Sequence, residues 1–202
     1  TPLYSSAASD VYKRQRQFVP ADADMGDWRQ IEPLFDLLDA RPLDTSEQLE
    51  RWLLDGSELA ACLMEESSRR YVAMTSQTDD AEREKAYLHF VEQIEPRCKP
   101  RWHRLRRRYV ASPARTALPP ERYHVLDRSM VAAVELFRPE NVPLQTEDAK
   151  LDQQYQKICG AMTVEYDGRE QTLQQMARYL EEPDRRIRQE AWERIVRRRL
   201  ED

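Results

Sequence analysis

"YQKICGAMTVEYDGREQTLQQMARYLEEPDRRIRQEAWE", residues 155–193, is where the chain changes period. Before it, Leu151, Tyr155, Ile158 and Met162 recur at steps of 4, 3 and 4, the spacing of one helix face. After Gly160 the step becomes two, with Thr163 and Glu165 alternating against Val164 and Tyr166 around Asp167-Gly168. Asp-Gly between alternating residues predicts a tight hairpin, because that turn needs two positive φ angles. Thr172 and Gln175 then supply a reciprocal cap for a new helix, and Pro183 ends it. Asp184 caps a last helix in which Ile187, Ala191 and Ile195 repeat at four. The fold class expected is all-α, with one short embedded β-hairpin near residues 162–172.

The segments upstream agree. Trp28, Ile31, Phe35 and Leu38 share a face that Pro42 closes. Thr45 and Gln48 form a capping box ahead of a long helix whose stripe is Leu49, Trp52, Leu53, Leu59, Cys62 and Leu63. Gly56, inside it, is a weak point or a close contact. A third helix turns Tyr87, Phe90, Val91 and Ile94 inward, and Pro96 and Pro100 are expected to kink or break it. A fourth carries Trp102, Leu105 and Tyr109. A fifth, opening at Pro120, carries Tyr123, Leu126, Met130, Val134 and Phe137. Neither a fixed-period repeat nor a low-complexity tract is present.

Composition narrows the function classes. The 202 residues are 40% hydrophobic and 34% charged, with 4 glycines, which disfavours both disorder and a turn-rich β fold. A net charge of -5 calls for neither nucleic acid nor an anionic membrane. No run approaches the roughly 18 apolar residues of a membrane span. The 3 cysteines, Cys62, Cys98 and Cys159, are widely spaced and suggest reduced thiols in a cytoplasmic setting.

No motif carries chemistry outright. The 3 histidines, His89, His103 and His124, are followed by Phe90, Arg104 and Val125, so none begins the H-E-x-x-H of a zinc hydrolase. Glu121-x-x-His124 has the spacing of half a di-iron carboxylate site but lacks a second copy; Glu121 also suits a first helical turn. No glycine-rich phosphate loop and no G-x-S-x-G occurs. Catalytic, cofactor-binding and metal-ligating residues are therefore expected to be absent from this chain. The basic run at residues 99–115 interleaves Trp102 and Tyr109 with arginines, as single-stranded nucleic acid binding requires, but its aromatic and basic residues fall on opposite helix faces.

Residues 1–15, TPLYSSAASDVYKRQ, share no pattern with the rest of the chain. DVYKRQ resembles the in-frame translation of a transposon mosaic end, so a foreign leader is expected there, the alternative being a disordered natural terminus. Residues 16–202 then form one helical region.

The tail resembles oligoendopeptidase F-type zinc metallopeptidases, relatives of thimet oligopeptidase. Tyr155–Gly160 is similar to that family's Y-Q-K-I-x-G helix, and Thr163–Gly168 to its T-V-E-F/Y-D-G hairpin. Thr172–Met176 and Glu182–Ala191 follow in family order. FVPADADMGDW, YLHFVEQIEP and ENVPLQTEDAKL extend the likeness over about residues 17–202. The resemblance implies the N-terminal helical lobe of a longer zincin-type oligopeptidase, truncated at its C-terminus, one wall of a channel for oligopeptides. It implies Zn2+ in the full-length parent, held by a missing C-terminal catalytic half, and a fragment that binds no zinc and is inactive alone. The hairpin would join the helices to the catalytic body, or simply connect helices. The alternatives are a free-standing helical interaction scaffold and, less favoured, a nucleic-acid binder through residues 99–115.

Overall fold

A computed structural model describes residues 16–201, so the leader expected at residues 1–15 lies outside the described residues. The chain is helical up to one hairpin and helical again after it. Helix α1 (Trp28–Ala40) starts where the Asp27 side chain accepts the Arg29 amide. Helix α2 (Ser46–Ser76) opens on the Thr45–Gln48 capping box. Asp80 caps α3 (Ala81–His89) by accepting from Glu82 and Arg83. Each cap satisfies amides that a helix start leaves without partners.

The expected break at the two prolines does not occur. A π-helical turn, Phe90–Ile94, joins α3 directly to α4 (Glu95–Ala111). The Glu95 amide reaches back five residues to the Phe90 carbonyl, so one extra residue is absorbed in the turn. Pro96 then falls in the first turn of α4, where its missing donor costs little. Pro100 stays inside the helix.

A 3-10 turn (Pro113–Ala117) leads to α5 (Pro120–Leu136) and then α6 (Asn141–Ala161). Strands β1 (Thr163–Tyr166) and β2 (Arg169–Thr172) pair antiparallel, Val164 opposite Gln171 and Tyr166 opposite Arg169. Asp167 and Gly168 take φ of 54° and 68°, the two positive values that the turn demands. Thr172 and Gln175 form the anticipated capping box of α7 (Leu173–Ala177), which tightens into a 3-10 turn before α8 (Arg185–Leu200).

The principal core joins α1, α2, α4 and the π turn. Ile31, Phe35, Leu38, Leu49, Leu59 and Tyr109 are wholly buried in it, each such side chain contributing roughly 1.5–3 kcal/mol. The C-terminal carbonyls of α1 are taken up from outside: Trp52 Nε1 donates to Leu38 at 2.9 Å, and Arg108 donates to both Leu38 and Arg41. Asp55, buried on α2, lies between Arg41 at 2.5 Å and Arg51 at 3.2 Å. A second core belongs to the hairpin region alone, where Met162, Val164, Leu173, Met176 and Ala191 pack with Tyr166, Tyr179 and Ile195.

Most of the apolar stripe of α6 lies on the surface. Leu151, Tyr155 and Ile158 of α6 are 62%, 61% and 51% exposed. The helix meets the body through its other side. Gln153 and Lys157 bond Glu84 at 2.8 and 2.9 Å, Lys150 pairs with Glu92, and Ala149 packs beside Tyr87 and Val91. Small and polar residues make that seam, so the apolar stripe faces outward.

Candidate functional site

Two surface features stand out. The first is the outer face of α6, where Leu144 joins Leu151, Tyr155 and Ile158 in one apolar row. Gly160, near its end, is needed for close approach. A Cβ there would lie 2.8 Å from Thr78 Oγ1 and Cγ2. Such an apolar row on a helix surface marks a contact surface more often than chance exposure does.

The second is a groove of about 430 Å3 between α2, α4 and α5. Its walls are Trp52, Leu63, Trp102, Leu105, Leu126 and Met130. Trp102 is fixed by an edge-to-face contact with Phe35, ring centroids 4.9 Å apart. Gly56 opens on the groove and a Cβ there would touch nothing within 4 Å, so it is not a close-contact glycine. Arg106 is the charged residue in the lining, and burial pushes its pKa down. Among the described residues it has neither a hydrogen-bond nor an ion-pair partner.

Four of the neighbouring arginines differ. Arg101 pairs with Asp36, Arg104 with Asp39 at 2.5 Å, and Arg115 with Asp127 at 2.6 Å. Arg108 is held by the carbonyls at the end of α1. Most of the basic run that could have met phosphates is thus engaged within the chain.

The remaining sequence candidates are structural in their contacts. His89 Nε2 is 3.2 Å from the Gly26 carbonyl, and His124 Nδ1 is 3.0 Å from the Pro120 carbonyl one turn back. His103 stacks on Phe137 at 4.2 Å. Burial, then Arg107 and Arg106, lower its pKa, and its Nδ1 is buried without a partner. Glu121 lies in the first turn of α5. Cys62 and Cys98 are buried, and burial pushes the Cys98 thiol up to about 12, far from a reactive thiolate. Among the described residues no group of three or more His, Cys, Asp or Glu could hold a metal ion. The described residues do not fit a zinc centre.

Sequence reasoning missed three residues. Glu58 accepts the amides of Gln17, Phe18 and Val19 at 3.0, 2.9 and 2.8 Å, anchoring the entering chain. Asp55 was detectable, since it falls between Trp52 and Leu59 at helical spacing. Arg106 was not, because five other arginines surround it in sequence between positions 101 and 115.

Neither a protein-family model nor a curated protein matches this sequence. Solved structures do match its fold. PZ peptidase A, in complex with an inhibitor, superposes with a TM-score of 0.77 over 92% of this chain at 21% identity. A protein assigned as oligoendopeptidase F superposes with a TM-score of 0.74 over 93% at 22% identity. The chain spans 33% of the length of each. The all-α lobe with its hairpin is therefore a fold found within peptidase structures, and the likeness runs nearly end to end.

Proposed function

We propose that this chain is the N-terminal helical lobe of a zinc-dependent metalloendopeptidase of the oligoendopeptidase F type, acting on oligopeptides in the cytoplasm. The observation that carries the reading is the nearly end-to-end superposition on two peptidases three times as long. Zinc and its ligands would belong to a further part of the protein, since the described residues do not fit a metal centre. The lobe's own task is then to shape one wall of the peptide channel and to seat the catalytic part. The outward row of α6 supplies an apolar surface for that seat, and the hairpin core follows directly at its C-terminal end.

The test begins with the source DNA. Sequencing outward from both ends of the reading frame is expected to reveal H-E-x-x-H downstream of Asp202, and the longer product is expected to cleave a quenched oligopeptide. A genuine stop codon after Asp202 would sink this reading. It would favour the second one, a helical scaffold using the α6 row to hold a protein partner. Among the described residues no helix is long and apolar enough to cross a membrane.

A further inference from the structure

We infer that the groove between α2, α4 and α5 is an anchoring site for the C-terminal end of a peptide, with an apolar side chain in the groove and the α-carboxylate on Arg106. Apart from Ser57, the groove's other lining residues are apolar or glycine. An apolar lining selects apolar matter, and its size lies within the usual range for small ligand sites. A single guanidinium without an internal partner, already partly stripped of water, selects an anion that can accept its fork of donors. A carboxylate on an apolar body meets both demands together. Phosphate or nucleic acid matches the apolar lining less well, and Arg101, Arg104 and Arg115 are already paired with Asp36, Asp39 and Asp127.

The geometry also limits the role. No cysteine, histidine or acidic side chain lines the groove, so it would hold a peptide without cleaving it. Gly56 and Ala60 leave the α2 side low, so the ligand can enter from the open edge. The choice of a peptide as the carboxylate carrier rests on the peptidase reading; the carboxylate preference stands on Arg106 alone.

The probes are acetyl-Leu-Phe with a free C-terminus, the same dipeptide as its C-terminal amide, and decanoate. They are titrated into the full chain while tryptophan fluorescence is followed, since Trp52 and Trp102 both line the groove. The acid is expected to bind at least ten-fold more tightly than the amide. Arg106→Gln should erase that ratio and leave the amide's affinity unchanged. Gly56→Leu, which places a side chain in open space, should weaken both peptides while helicity by circular dichroism is retained. Equal binding of acid and amide, a ratio that survives Arg106→Gln, or no binding to the folded chain overturns the site. Decanoate binding more tightly than the peptide acid overturns the peptide as occupant. Failure of the peptidase reading would appear instead in the hydrolysis assay of the longer product, and would not move the acid-to-amide ratio.

Discussion

Glu58 does with one carboxylate what a helix start usually does with a cap. Burial would raise its pKa, but the amides of Val19, Gln17 and Phe18, then Arg16, outweigh that and hold it low. Its contribution is therefore present above the ordinary carboxylate range and is lost as pH falls through the lowered value. Glu58→Ala should destabilise the chain by about 1–3 kcal/mol in urea melts and make the Gln17–Val19 amides exchange freely. Cys98 and Tyr109 work at the other end of the scale, since burial pushes both up to about 12. In the unfolded chain they ionise near 9 and 10, so stability is intact below pH 9 and falls as pH rises toward 12. Urea midpoints at pH 8.5, 10 and 11 should record a loss on the order of 4 kcal/mol by pH 11. In Cys98→Ala the decline should begin nearer pH 10.

Elements were the most legible level. Thr45, Asp184, Thr172 and Asp167-Gly168 act through their nearest neighbours along the chain, so their roles could be read without a tertiary structure. The orientation of α6 could not, because a 4-3-4 stripe specifies a face and not what covers it. Its inner seam depends on Glu84 and Glu92, 69 and 58 residues before Gln153 and Lys150 respectively. The groove was illegible for the same reason: Trp52, Trp102 and Leu126 meet only once three helices have packed. Leu151→Glu together with Tyr155→Glu should shift the stability of this chain by no more than about 0.5 kcal/mol. The same pair should abolish assembly of the longer protein, measured as loss of co-purification with its remaining part. Gly168→Val, by contrast, forces a β-branched residue into positive φ, and should cost roughly 1–2 kcal/mol and weaken the hairpin's amide protection.

At the scale of the whole molecule, the separation of the cores sets the order of events. The main core draws on residues from Val19 to Tyr123, whereas the hairpin core is made within residues 162–195. Hydrogen exchange should show the segment 162–200 opening as a unit at lower free energy than α1, α2 and α4. Met176→Ala, at a site wholly buried in the smaller core, should cost about 2–4 kcal/mol there and leave protection of Phe35 and Leu49 unchanged. The π turn at Phe90–Ile94 couples the halves differently. Each residue advances a helix by about 100°, so this turn sets the rotational phase of α4 against α3. Deleting Gln93 should let the rod close into an ordinary helix with Leu105 and Tyr109 still facing the interior, since the turn already absorbs that residue. Deleting Lys99 inside α4 should instead turn both by about 100° and carry the groove away with them. A protein built this way can give up one residue at that turn, and hardly any elsewhere along the rod.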